Sequence, residues 1–440
     1  MAADGQQQLA QPQAEQQDEG PPAPAHQKLM RAKNTAVRAL MLCCLCRNFG
    51  IMVRMQTETQ MWLNAFAGDY AGQARFQGNM ESIAGILGFA ITPVLAGLSD
   101  AIGRRPLMIM SPCFSVLTNI MIVARPTVGM LAVRRMLMPF SSTPWHSGEA
   151  AALADLFKGK PAEYGLAKSR IELVQSCCMM VCPLIGARLA QISLRLPWAV
   201  CGVSFTIMTV VASLFLQETL AVEERVPFRW KGSNPLSFMM LFRRGSKLRL
   251  LALAQIWNTV SGRFSTYRYE ELHMQQTLQW GLAERGRYSS YRGMLSVPGT
   301  WISGTLMRVL GPTASLFIGQ CSVMAEQLCA SMASEGWHFY AIRPLRMTSA
   351  VSEVAMEYTK TSVGVLCGIP QGQLQGCLSN LRTICNILTP MLWGRIYSYG
   401  VRKGRPSLFY LVSAAAGVIQ LLILKLLLSA PAPPPLEKKA

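Results

Sequence analysis

Two apolar runs, Ile83–Ala96 and Leu107–Ala124, are separated only by the short link Gly97–Pro106. Each run approaches the ~20 helical residues that cross a ~30 Å hydrocarbon core. Spans joined so tightly must run antiparallel, with a sharp turn at the membrane surface. Gly103 suits that turn, because glycine accepts backbone angles that other residues resist. Pro106 suits a first helical position, where a missing N–H costs nothing. Arg104 and Arg105 at the span end place this side of the membrane in the cytoplasm.

The rest of the chain agrees with a membrane protein. Of its 440 residues, 51% are hydrophobic and 15% charged, against about 25% charged in a soluble domain. The apolar residues come in long blocks. The chain carries 42 Lys and Arg against 23 Asp and Glu, a formal charge of +19. Most of that charge lies in links between apolar runs, and no zinc spacing or basic helix of DNA-binding type accompanies it. Cytoplasmic loops therefore account for it better than nucleic acid. The 13 cysteines show no ligand pattern. Cys43, Cys44, Cys46, Cys177 and Cys178 fall in apolar runs without His or acidic partners, as packing residues do. No metal or cofactor is expected, and no nucleophile–base pair or phosphate-cradling loop points to an enzyme. The first apolar run follows a long polar tail, so no cleavable signal peptide is expected.

The stretch Ala96–Leu107 resembles the loop between helices 2 and 3 of the major facilitator superfamily. The matching residues are Leu98, Asp100, Gly103, Arg104, Arg105 and Leu107, while Ala96 and Ala101 depart from the pattern. The Leu-Ser-Asp and Gly-Arg-Arg-Pro pieces look most like the tetracycline/proton antiporters and the hippocampus-abundant-transcript-like carriers. Further matches lie downstream. Arg135 fits the arginine of the family's fourth helix, linked in related antiporters to proton coupling, although Pro139 stands in a glycine position. Asp155 fits the Ala-Asp that closes that helix. Pro183 and Gly186, in Cys-Pro-Leu-Ile-Gly-Ala (182–187), look like a weakened form of the antiporter motif. Gln217–Leu220 resembles the ending of the sixth helix. Gln375 and Gly376 belong to a 372–379 core similar to the antiporters' eleventh helix, and Pro390 follows Thr389 where that family has Gly-Pro. The resemblance implies an all-α integral membrane protein of twelve transmembrane helices, arranged as two pseudo-symmetric six-helix bundles with a solute site between them.

Charge and composition then suggest an organisation. Residues 1–35 read as a disordered cytoplasmic tail, with Lys28, Arg31, Lys33 and Arg38 crowding the first span (36–56). Residues 36–220 form a first six-helix half and 248–429 a second. Residues 221–247 form a basic cytoplasmic linker, and 430–440 a cytoplasmic tail. An internal repeat supports two halves: Pro183 follows Gly103 by 80 residues, and Pro390 follows Gly311 by 79. Lys158, Lys160, Lys168 and Arg170 make the link between spans 4 and 5 cytoplasmic. Two links strain the rule. Arg268, Arg285, Arg287 and Arg292 fall between a seventh span (249–268) and an eighth (288–308). Arg402, Lys403 and Arg405 lie between the last two spans. Both links belong on the outer side.

Candidate cavity residues on spans 1, 4, 7 and 10 are Arg47, Asn48, Arg54, His146, Glu149, Asn258, Arg263 and Glu353, with Glu326 on span 9. Charges inside spans usually face a water-filled cavity, although arginines also snorkel to an interface. Glu149, Glu326 and Glu353 are the candidate proton carriers. The antiporters carry an acid and a glycine-rich turn where this chain has Arg-Asn-Phe-Gly (47–50), which hints at an anionic or polar solute. Three functions stay open. One is a proton-linked, drug-antiporter-like carrier of a small organic solute. Another is a uniporter or symporter of an anion, sugar or other nutrient. The third is a receptor or scaffold that no longer transports. The expected setting is a lipid bilayer of the plasma membrane or an endomembrane. Both termini face the cytoplasm, and a monomer is expected to work alone.

Overall fold

The computed structural model describes residues 24–157, 161–220, 222–225, 238–243, 245–261, 263–369 and 371–430. The expectations for 1–23, Lys158, Lys160, the linker residues 221, 226–237 and 244, and 431–440 lie outside the described residues, as do the side chains of Lys28, Arg31, Lys33 and Arg263. The described elements are helical. In the first half they are α1 (Pro24–Ala65), α2 (Tyr70–Ile102), α3 (Arg104–Ala124), α4 (Val128–Leu156), α5 (Pro161–Ile192) and α6 (Leu196–Phe215). A short α7 (Met239–Arg243) leads into α8 (Ser246–Val260), α9 (Arg263–Thr277), α10 (Leu282–Met332), α11 (Gly336–Ile342), α12 (Ser349–Leu366), α13 (Gln371–Arg402) and α14 (Leu408–Ser429). The second half interrupts its crossings: α8 with α9 makes one, and α11 with α12 another. Helix α10 makes two crossings, broken where Gly311 takes φ +76°.

Among the described residues, six helices are long and apolar enough to span a bilayer by composition alone: α1, α2, α3, α5, α6 and α14. Some of the other crossings carry charge that the fold turns inward, as at Arg134 and Arg135 of α4 and Arg285, Arg292 and Glu326 of α10, while Glu353 of α12 and Arg382 and Arg395 of α13 stay exposed; both kinds of charge lower the hydropathy of these crossings. This also corrects the outer links. Arg268 stands inside α9, and Arg285 and Arg292 stand inside α10, both arginines buried. Only 278–281 connects those helices. Arg287 alone behaves as a surface charge, paired with Glu284 at 2.8 Å. Helix α1 likewise outruns its expected end at 56. Its polar stretch Gln56–Gln60 stays helical because those side chains reach the second half. Gln56 Nε2 donates to the Arg285 carbonyl (2.9 Å) and to Ser289 Oγ (2.8 Å), and Thr59 Oγ1 donates to Glu271 Oε2 (2.9 Å).

The halves meet along two seams, α2 against α13 and α5 against α10. Both depend on backbone approaching backbone at glycine. A Cβ on Gly78 would lie 2.5 Å from the Pro390 carbonyl oxygen, and one on Gly286 would lie 3.1 Å from that of Pro183. Gly78 and Gly286 stand 208 positions apart, as do Gly103 and Gly311, and Pro183 and Pro390 stand 207 apart. Each half thus offers a glycine to one seam and a proline carbonyl to the other, the mark of two parallel repeats. Gly103 and Gly311 occupy equivalent turns and both take positive φ, +107° and +76°.

Gly78→Val is therefore expected to pry the α2–α13 seam, with an overpacking cost of ~1–3 kcal/mol, and Gly286→Val to do the same at the other seam. Gly304→Ala meets open space and serves as the neutral control. Thermal unfolding of the detergent-solubilised protein reads the difference; equal melting temperatures for Gly78→Val and Gly304→Ala would contradict the seam.

Candidate functional site

Three groups of polar side chains stand out, and the first surrounds the α2–α3 turn. Gly103 gives its N–H to Ser99 and opens the way for Glu218, which follows α6. The Glu218 carboxylate accepts from the N–H groups of Arg104 (3.0 Å) and Arg105 (3.1 Å), the first two residues of α3, and from those of Thr219 and Leu220 (both 3.1 Å). A carboxylate here meets unpaired N–H groups and the positive end of the helix dipole. Burial would raise its pKa, but donation from Arg104, Leu220, Arg105 and Thr219 outweighs burial and holds the carboxyl below its ordinary value. Arg104 Nε binds Asp155 at the end of α4 (2.7 Å), and its Nη1 lies 3.4 Å from the exposed Asp100. Arg105 Nη2 donates to the Ser213 carbonyl (2.6 Å), and Thr219 Oγ1 reaches Asp155 (3.3 Å). The ends of α2, α3, α4 and α6 are thus tied together, with Leu98 half-buried on α2.

The second group lies along one stripe of α1 and the facing stripe of α4. Arg47, Arg54 and Glu58 follow one another at helical spacing, so they share a face. Glu58 gathers three arginines. Arg54 Nη1 binds it at 2.9 Å, Arg135 Nη2 donates to it, and Arg134 Nη1 lies at 3.2 Å, within ion-pair distance but without hydrogen-bond alignment. Trp198 takes Arg54 and Arg134 over its ring at 5.0 and 4.9 Å, which eases two like charges in one buried place. Arg135 also lies 3.5 Å from Glu81 of α2, and Glu81 pairs with Arg268 of α9. The line Arg54–Glu58–Arg135–Glu81–Arg268 therefore crosses from one half to the other. Nearer the Gly103 end, Arg47 Nη2 donates to His146 Nε2 at 2.6 Å. Glu149, buried, accepts from Trp145 Nε1 (2.9 Å) and pairs with Lys168 of α5 (3.5 Å).

The third group is internal to the second half. Glu326 binds Arg343 (2.6 Å) and Arg346 (2.8 Å), and Glu270 binds Arg292 (3.2 Å). Glu326 is thus enclosed by arginines. Other candidates scatter. Asn48 turns back on its own helix, its Nδ2 donating to the Cys44 carbonyl (2.9 Å) and Sγ (3.0 Å). Asn258 accepts from Gln420 of α14 (3.1 Å). Glu353, Gln375 and Gly376 are exposed. Pro390 accepts the Tyr269 hydroxyl at its carbonyl (2.9 Å), and Gly186 admits the Val53 backbone of α1. The sequence reading missed Glu58, Glu81, Arg134, Arg268 and the capping role of Glu218. Two signals were available: Glu58 stands four residues from Arg54 on the Arg47 stripe, and Arg134 is adjacent to Arg135. Among the described residues, no cluster of His, Cys, Asp and Glu fits a metal.

Comparison with known proteins fits this geometry. The sequence profile of the Major Facilitator Superfamily matches residues 40–356. The class H tetracycline resistance protein of Pasteurella multocida is 24% identical over 323 residues, covering 70% of this chain and 76% of that protein. Hippocampus abundant transcript-like protein 1 of Bos taurus is 24% identical over 340 residues, covering 73% of this chain and 64% of that protein. Among solved structures, the human organic anion transporter MFSD10 (TETRAN) superposes with a TM-score of 0.66 at 15% identity, covering 89% of this chain and 99% of that one. The nucleoside transporter NupG superposes with a TM-score of 0.68 at 10% identity, covering 91% and 100%. At these identities the two structures share the fold with this chain.

Because Glu218 holds its charge to lower pH in the folded protein than in the unfolded chain, its stabilisation is complete above the ordinary glutamate range, about pH 4.3. It is lost as pH falls through the depressed folded value. Glu218→Gln should therefore lower the melting temperature near neutral pH, and the gap to the parent protein should close on acidification below pH 4. A gap that widens with acid would contradict the capping role.

Proposed function

The chain belongs to the major facilitator superfamily, a multi-pass membrane transporter and not an enzyme, and on that premise we propose that it carries a small organic solute by alternating access in exchange for protons. The observation that carries the proton linkage is Glu81, shared between Arg135 of the first half and Arg268 of the second. Protonating a carboxylate in such a line removes the partner of an arginine, and here that arginine lies across the seam. The step that takes up a proton is thereby the step that frees α9 from α2. The low-identity likeness to tetracycline resistance proteins supports the same class of carrier.

In this reading the halves are 36–220 and 248–429, joined by the basic linker 221–247, with both termini in the cytoplasm. The inter-half bonds of Gln56, Thr59, Gln60 and Glu81 close the outer end, so the solute chamber opens toward the cytoplasm in this state. The Arg104–Asp155–Glu218 cluster keeps the first half rigid as it rocks, and Asp100 is positioned to change partners when the halves close at that end. Pro183 and Pro390 are the pivots. Their carbonyls lie on the two seams, and a proline in a helix interior leaves a carbonyl free and the helix easier to bend.

The test is solute flux in proteoliposomes after a pH jump, with a panel of labelled organic solutes. The parent protein should accelerate uptake more than tenfold when the lumen is acidified. Glu81→Gln should abolish the acceleration while leaving the protein inserted, as measured by surface labelling. A rate that stays flat from pH 5 to 8 in the parent protein would defeat the proton linkage.

A further inference from the structure

Arg47 differs from the arginines buried between α1 and α4 farther along the same face, and from Arg104 at the α2–α3 turn. Arg54, Arg134 and Arg135 share Glu58, and Arg104 has Asp155. Among the described residues, no carboxylate lies within ion-pair distance of Arg47. The acid of this neighbourhood, Glu149, is already engaged by Lys168 and by the Trp145 indole. The hydrogen-bond partner of Arg47 is His146 Nε2, at 2.6 Å. A guanidinium only donates. The Nε2 atom therefore carries no proton, and the ring is neutral with its hydrogen on Nδ1. A half-buried cation thus holds a neutral acceptor, and among the described residues the rest of its five-donor fork meets no other hydrogen-bond partner. The imidazole beside it is exposed, and so is the Lys168 side chain at 41%. Ionised groups within spans are costly unless something of opposite charge meets them.

We propose that Arg47, with His146 beside it and Lys168 near it, receives the carboxylate of an organic anion, and that His146 takes up one proton as the anion docks. The assignment rests on the reading of the chain as a carrier of a small organic solute and narrows that solute to an anionic class; the proton taken up at His146 accompanies the anion and is distinct from the one exchanged at Glu81. A carboxylate matches the planar fork of arginine and accepts two parallel hydrogen bonds from it. Docked there, it takes Nη2 away from the imidazole and leaves Nε2 free. The ring is then flanked by a negative charge with which an imidazolium pairs, and Nε2 gains its proton from water in the chamber. The charged groups that face His146 are Arg47 of α1 and Lys168 of α5, and Lys168 in turn pairs with Glu149, three residues along the helix of His146. That acid is held by Lys168, so the docked anion supplies the compensating charge. Linkage makes the coupling reciprocal: the anion favours the proton, and the proton favours the anion.

The test uses radiolabelled benzoate and the full-length protein in nanodiscs, with benzamide as the neutral isostere and inorganic phosphate as the competing source of negative charge. Saturable benzoate binding is expected to tighten about tenfold between pH 7.5 and 5.5, as proton uptake linked to binding requires. Arg47→Gln should weaken binding at least tenfold, and Arg47→Lys should restore part of it. His146→Gln should keep benzoate binding but flatten its pH dependence, which a merely structural histidine would not do. On the unmutated protein, benzoate should suppress phenylglyoxal modification of Arg47, read by mass spectrometry, so the outcome does not hang on a variant that folds. No saturable benzoate binding, equal binding of benzamide, displacement by phosphate at equal concentration, or a pH slope that survives His146→Gln would each overturn the assignment. A flux that stays flat with pH in the parent protein, with this binding intact, would overturn the proton-exchange reading instead and leave the anion receptor standing.

Discussion

An arginine cannot shed its charge inside a membrane, and this chain buries several. Where each one finds a carboxylate decides how the helices sit. Glu58 holds three arginines and so fixes α1 against α4. Glu81 extends that line to α9. In the second half, Glu326 takes Arg343 and Arg346, and Glu270 takes Arg292, which draws α9, α10 and the turn before α12 together. Removing one partner from a buried pair costs ~3–5 kcal/mol, because the other is left charged and alone. The acids therefore work as fasteners, and their number is smaller than that of the arginines they serve.

Two kinds of fastening follow. The Arg104 cluster joins ends that belong to one half, and nothing in it must break when the halves move. The Glu81 line crosses between halves, so the alternating-access motion proposed above would break it. The seams are built to allow this. At Gly78 the contact is backbone against the Pro390 carbonyl, and at Gly286 it is backbone against the Pro183 carbonyl and the small Ala187 side chain. The 208-residue offset places the same device on both seams, and a rocking motion loads them alike.

Legibility in the sequence followed the kind of physics at each site. The α2–α3 turn was readable because its constraint is local: Gly103 needs its φ, and the arginines sit beside it. Arg135 was readable by its resemblance to the family, but its partner Glu58 was signalled only by its place four residues from Arg54. The stretch Gln56–Gln60 looks too polar for a span, and only the opposite half, with Arg285, Ser289 and Glu271, makes it one. The same cause hid the helical placement of Arg268, Arg285 and Arg292. A hydropathy window counts each charge as a cost and cannot see what offsets it: Glu81 for Arg268, Glu270 for Arg292 and the Gln60 amide oxygen for Arg285. Asn48 failed in the opposite way. Its sequence neighbour Arg47 faces α4, whereas Asn48 satisfies itself on the preceding turn of its own helix.

Helix α1 makes the two functional groups one mechanical body. Arg47 and Glu58 are eleven residues apart on the same stripe, ~16 Å at 1.5 Å per residue. No proline or glycine kink lies between them except Gly50, and Gly50 is packed against Cys201 and Ser204 of α6. A charge change at Glu58 that shifts its end of α1 would therefore carry Arg47 with it, and the ligand proposed to dock at Arg47 would act back on Glu58 by the same amount of free energy. Coupling of this kind needs no pathway of intermediate side chains. It needs a stiff rod with a charged group at each end, and α4 supplies the second rod, with Arg135 opposite Glu58 and His146 opposite Arg47.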